Sequence, residues 1–188
     1  MVPDLDCHLD VLSPEEEMVL VAKIDASEWE TTLSRKVQQF GHRYNYGRSS
    51  ENPETVQPIP LWAFELFEKC RAAGLAIPVV TPETLQVIVN HYEPGQGISA
   101  HVDDPVRFTI WVVTVTLGSG CGMRFKEKGG EGLEEVYLPR RSAYLMRGKA
   151  RYNWTHEIPA RKSDKIDNQR VPRGRRISVT FRAVTAAK

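Results

Sequence analysis

Residues 89–103 read Val-Asn-His-Tyr-Glu-Pro-Gly-Gln-Gly-Ile-Ser-Ala-His-Val-Asp. The stretch starts as a β run, breaks at Pro94, Gly95 and Gly97, and becomes extended again toward His101 and Asp103. Proline followed by glycine supplies a turn, so the chain swings back between two strands. Residues two apart on a strand point to one face. His101 and Asp103 therefore offer an imidazole and a carboxylate to one point, and Asn90 and Tyr92 likewise share a face.

Downstream of this stretch the texture stays that of short β runs separated by Gly and Pro. Strands are expected at 85–92, 99–102, 108–117, 123–126, 135–138, 143–146, 152–156 and 176–184. Upstream the pattern is helical. Ser13-Pro14-Glu15-Glu16 carries a cap, a proline at the first helical position and a capping box, which predicts a helix to about residue 25. Leu61, Phe64 and Phe67 mark an apolar face over 61–73, with Gly74 just past the end. Residues 49–60 read as a loop, and 161–175 as a long basic surface loop. Helices followed by many short strands give an α+β chain with a β-sandwich or jelly-roll core on helical supports.

The 188 residues, 41% hydrophobic and 26% charged, suit one globular domain over 1–188. No apolar run reaches the roughly 18 residues of a membrane span, and no membrane partner is expected. Met1–Asp10 lacks the basic start and apolar stretch of a signal peptide. Cys7, Cys70 and Cys121 form neither a disulfide framework nor a CxxC zinc pattern. They read as inert buried thiols in a reducing compartment, cytosol or nucleus. Charge is uneven. Residues 140–182 hold ten Arg and three Lys against three acids, or +10 in a chain of net charge +1. An anionic partner for that third is one reading, and a solvated basic loop is the other.

A third metal ligand has to come from another strand, and His156 lies in such a run, 55 residues after His101. Two imidazoles and a carboxylate leave metal positions open, which suits non-haem Fe(II) that must also bind a co-substrate and O2. Zinc is the chemical competitor, although no HExxH occurs. On 176–182 the two arginines, Arg176 and Arg182, share a face with Ser178 and Thr180. An interior guanidinium needs an anion, and the distal carboxylate of 2-oxoglutarate is a fitting one. Asn90 and Tyr92 could hydrogen-bond the rest of that co-substrate. An amphipathic edge strand with solvated arginines is the plainer alternative.

Taken together, Asn90-x-Tyr92, the Gly95 turn, His101-x-Asp103, His156 and Arg176-x5-Arg182 resemble the AlkB family of Fe(II)/2-oxoglutarate dioxygenases over residues 9–184. The likeness extends to the branch that hydroxylates the wobble uridine of tRNA, through 89–98, 138–142, 151–156 and 160–164. The resemblance implies a double-stranded β-helix, or jelly-roll, core with N-terminal supporting helices. It implies iron on His101, Asp103 and His156, and 2-oxoglutarate on Asn90, Tyr92, Arg176 and Arg182. The substrate would be a nucleic acid, tRNA foremost, either hydroxylated or demethylated. Alkylated DNA or RNA bases and a protein side chain are the alternatives. Residues 35–60 would form a nucleotide-recognition lid, with Arg35, Arg43, Tyr44 and Tyr46 on the substrate. The family's repair members often carry a second aspartate where this chain has Pro105, which leaves neighbouring Asp104 as the substrate-binding acid.

Overall fold

The computed structural model describes residues 1–31, 35–42 and 56–185. Its elements run β1 (Leu5–His8), α1 (Pro14–Asp25), β2 (Lys36–Phe40), α2 (Leu61–Ala72), β3 (Leu85–Tyr92), β4 (Ile98–His101), β5 (Phe108–Leu117) and β6 (Cys121–Glu127). They continue with β7 (Leu133–Leu138), β8 (Ala143–Arg147), α3 (Gly148–Tyr152), β9 (Trp154–Ile158), β10 (Ser163–Ile166), β11 (Gln169–Pro172) and β12 (Arg176–Val184). The capping box closes α1 as its sequence dictates. Ser13 Oγ accepts from the Glu16 amide at 3.2 Å, and Glu16 Oε2 accepts from the Ser13 amide at 2.9 Å.

Among the described residues, two antiparallel sheets face each other. One has six strands in the order β1-β8-β5-β12-β3-β2, and the other has four, β4-β9-β6-β7. Strand alternation splits the larger sheet into two faces. Val113, Val115, Ile177, Val179, Phe181, Val87 and Val89 turn toward Leu20 and Ile24 of α1 and Leu66 and Phe67 of α2. The Phe67 and Phe181 rings lie 5.3 Å apart in this layer. On the opposite face Tyr92, Val112, Tyr144 and Met146 meet Met123, Phe125 and Ile158 of the smaller sheet. This is a jelly roll with its helices packed outside. The polar residues of β12 and β3 fall on the inner face, between the sheets.

Four expectations need correction. Tyr152 does not start a strand. Gly148–Tyr152 coil into α3, and β9 begins at Trp154. Residues 161–175 are not a plain loop but carry the β10–β11 hairpin, closed by Asp167 and Asn168 with φ of 47° and 65°. Two successive residues of positive φ make the type I′ turn that suits the twist of a hairpin. β1 and β2 were not expected at all, and they form the two edges of the larger sheet. Cys70 and Cys121 are buried, whereas Cys7 is exposed because it sits on edge strand β1.

Candidate metal centre and carboxylate pocket

One strand pairing closes the 55-residue gap between the two histidines. In the β4–β9 ladder His101 is the cross-strand partner of His156, and their ring centroids lie 4.3 Å apart. Asp103 follows β4 by two residues. One ligand atom from each of His101, Asp103 and His156 lies within 4.8 Å of the others. Asp103 Oδ2 is 3.5 Å from His156 Nε2. His101 Nδ1 donates to the Ser99 carbonyl at 2.8 Å, which leaves the lone pair on Nε2.

The electrostatics suit metal ligation. Burial pushes the pKa of His156 down to about 4, more strongly than the nearby Asp103 charge raises it. The ring is therefore neutral near pH 7, the form that coordinates metals. Burial of Asp103 opposes its charge, yet Arg182 first and the two imidazoles after it hold the carboxyl below the usual aspartate range. Arg182 Nη2 lies 2.6 Å from Asp103 Oδ1. This residue, expected on the co-substrate, thus grips a metal-ligand candidate directly while also lining the cavity.

The cavity beside this cluster holds about 350 Å³. Asn90, Tyr92, Tyr144 and Arg176 line it together with the three ligand candidates. Arg176 is the cross-strand partner of Tyr92, and its guanidinium lies 5.4 Å from the Tyr92 ring centre. Its Nη2 donates to Thr116 Oγ1 at 3.0 Å, but its buried Nε and Nη1 have no hydrogen-bond partner. A buried donor without an acceptor costs roughly 1–3 kcal/mol, and a carboxylate would satisfy both. Burial raises the pKa of the Tyr144 phenol, so it stands in the same pocket as a neutral donor. Two imidazoles and a carboxylate next to a buried, under-satisfied guanidinium fit a ferrous ion and a dicarboxylate.

Arg35 also lines the cavity and donates from Nε to Asn90 Oδ1 at 2.8 Å. Asp104 does not reach the cavity. Its Oδ1 accepts from the amides of Val106 and Arg107 at 2.9 and 3.2 Å, so the carboxylate caps a turn outside the cavity lining. Arg43, Tyr44 and Tyr46, and half of the expected 35–60 lid, lie outside the described residues.

Sequence reading missed Thr114, Thr116, Tyr144 and Arg151. The first three were findable, because Thr114 and Thr116 alternate with core residues on β5, and Tyr144 stands between core residues Ala143 and Leu145 on β8. Arg151 was not. It is 1% exposed, and its Nη1 and Nη2 donate to the backbone carbonyls of Asp103 and Asp104 at 2.6 and 3.1 Å. It ties α3, and so the start of β9, to the Asp103 loop.

The sequence profile of the 2OG-Fe(II) oxygenase superfamily matches residues 13–182. Protein L905 of Acanthamoeba polyphaga mimivirus is 34% identical over 180 residues, covering 95% of this chain and 84% of the viral protein. The tRNA (carboxymethyluridine(34)-5-O)-methyltransferase alkbh8 of Xenopus tropicalis is 34% identical over 170 residues. That match covers 87% of this chain but only 26% of the frog protein. The solved structure of OsALKBH1 superposes with a TM-score of 0.69 over 97% of this chain and 99% of that one, at 16% identity, a likeness of fold.

Proposed function

The chain belongs to the AlkB family of 2OG-Fe(II) oxygenases, and we propose that it hydroxylates the side chain of a modified nucleotide, the wobble uridine of tRNA. Membership makes it a 2-oxoglutarate-dependent dioxygenase using Fe(II) and O2. The finer reading is supported by a relative named for methylating carboxymethyluridine 34 of tRNA. The dioxygenase chemistry it requires is supported by a cavity that joins the His-Asp-His cluster to a buried cationic anchor.

When bound, Fe(II) with 2-oxoglutarate and O2 supplies the oxidant for a C–H bond. The chain's own residues bind and orient. His101, Asp103 and His156 would hold the ion, at the wall of the cavity that all three line. Arg182 engages Asp103 Oδ1, so Oδ2, the oxygen nearer His156, is the one offered to the metal. Arg176 receives the far carboxylate of 2-oxoglutarate through Nε and Nη1. Thr116 and the Tyr92 ring fix the plane of that guanidinium. Tyr144 and Asn90 hydrogen-bond the co-substrate from the neighbouring strands. Ile98, Met123 and Ile158 wall the cavity and keep water from the reacting carbon.

The observation that carries this reading is Arg176, buried with two unused donors in the cavity that His101, Asp103 and His156 share. The test is incubation with Fe(II), 2-oxoglutarate and tRNA, followed by mass spectrometry of the nucleosides. A 2-oxoglutarate-dependent gain of one oxygen on a modified uridine is expected. No change in any nucleoside of tRNA, methylated RNA or methylated DNA would overturn the nucleotide reading.

A further inference from the structure

Most of the positive charge in the C-terminal third is neutralised within the molecule. Arg140 pairs with the buried Glu17, Arg141 with Asp10, Arg147 with Asp6, Arg175 with Asp25 and Arg182 with Asp103. Arg161 and Arg173 share the buried Asp164, and Arg161 also meets Glu135. Those arginines therefore offer little to a partner. Arg151 and Arg176 are buried; the exposed cations of this third left without an acidic partner among the described residues are Lys149, Lys162, Lys165 and Arg170, and three of these four stand on the β10–β11 hairpin or at its base.

Within the hairpin the two faces display opposite characters. Asp164 turns inward. It accepts from Arg161 Nε at 2.8 Å and from Arg173 Nε at 2.7 Å, and Arg173 Nη1 also donates to the Pro159 carbonyl at 2.8 Å. These bonds fix the arm to the rest of the molecule. On the other face, exposed Lys165 is the direct cross-strand partner of exposed Arg170. Like charges placed opposite each other destabilise a β-ladder. Arg170 has only the Ser163 hydroxyl, at 2.9 Å from its Nε, and the one unpaired acid of the arm, Asp167, lies in the turn. Among the described residues no acid pairs with either side chain, and an anion between the two would relieve the repulsion.

The base of the arm adjoins the cavity. A Cβ on Gly97 would come within 2.1 Å of the Ile158 carbonyl, so the turn and the segment leading to the hairpin are in tight contact, and Gly97 and Ile98 line the cavity. The stem of Lys162 rests on the same turn, where a Cβ on Gly95 would sit 3.6 Å from its Cγ.

We propose that the β10–β11 hairpin is the arm that takes the phosphodiester backbone of the RNA substrate, with Lys165 and Arg170 astride a phosphate and Lys162 holding the strand where it enters the cavity. This rests on the nucleotide reading above and assigns that reading a surface. Phosphate contacts of this kind position the nucleic acid without reading its sequence.

The test uses a fluorescently labelled tRNA transcript titrated with the full chain over a series of salt concentrations. Replacing both residues, Lys165→Glu and Arg170→Glu, is expected to weaken binding about tenfold or more. It should also flatten the dependence of log K on log salt by roughly 0.7–0.9, the value for one lost phosphate contact. The single change Lys165→Glu supplies the control for folding. It sets opposite charges across the ladder, so the thermal midpoint holds or rises while RNA affinity falls; a residue with only a structural role would not separate the two. Unchanged affinity and salt slope in the double variant, with wild type still modifying tRNA, would refute the arm alone. A wild type that neither binds tRNA nor alters any nucleoside would remove the nucleotide reading and the arm with it.

Discussion

At the scale of single residues, Arg151 and Arg176 do opposite things with the same chemical group. Arg176 is a guanidinium with donors to spare, pointed into a cavity, and its arrangement asks for a ligand. Arg176→Gln is expected to raise the KM for 2-oxoglutarate tenfold or more, since a bidentate, charge-assisted contact is lost. Succinate release as a function of co-substrate concentration measures this, and an unchanged KM would rule out Arg176 as the anchor. Arg151 touches the backbone of a ligand residue and lines no part of the cavity. It is a positioning residue, and such supports typically carry about 10–100-fold in metal affinity. Arg151→Met, which keeps the length of the stem, should weaken Co(II) binding by that order in a spectrophotometric titration. Arg151→Lys, which retains one donor, should recover part of it. Equal Co(II) affinity in all three proteins would show that the Asp103 loop holds its shape unaided.

At the scale of elements, β4 and β9 make the site, and their contact depends on a residue with no side chain. The Cβ of Gly97→Ala would meet the Ile158 carbonyl and the Ala160 amide, both of them backbone and unable to swing aside. The strands must part to admit it, at a cost typical of overpacking, roughly 1–3 kcal/mol. The expected result is a lowered thermal midpoint together with weakened Co(II) binding, since His101 and His156 belong to the separated strands. A variant with wild-type values for both would show that the close approach is dispensable. The sequence discloses some of these elements and conceals others for physical reasons. β3, β5 and β12 were readable because their alternation of core and cavity residues runs unbroken over eight to ten positions. The i, i+2 spacing that marks those strands also placed His101 with Asp103 and Arg176 with Arg182. The hairpin was hidden because charged residues fill both of its faces and its turn uses Asp167-Asn168 where glycine would have announced it. Tyr152 misled because an aromatic two residues before Trp154 imitates strand alternation, whereas the preceding Gly148 and Ala150 let the chain coil. No local pattern could reveal Arg151, since its partners are backbone carbonyls brought to it by tertiary structure.

For the molecule as a whole, stability should depend on acid through ion pairs that join distant segments. Asp164 is the clearest case. Burial alone would raise its pKa, but hydrogen bonds from Arg173 and then Arg161 outweigh that and lower it from the ordinary value of 3.8. Between the depressed native value and the ordinary one, the unfolded chain takes up a proton that the native chain refuses. Acidification through that window therefore favours unfolding, and the stabilisation is present in full only above the unfolded value. Removing the charge in Asp164→Asn lowers stability at neutral pH, because Arg173, 9% exposed, then lies buried without its counter-charge. It also removes one carboxylate from the acid response. The urea midpoints of wild type and variant should therefore differ most near pH 7 and converge as the pH falls through the ordinary value of 3.8 toward the depressed native one, where the wild-type carboxylate itself becomes protonated. Parallel curves would mean that Asp164 titrates alike in the folded and unfolded chains, and that its two arginines position the hairpin without shifting its proton equilibrium.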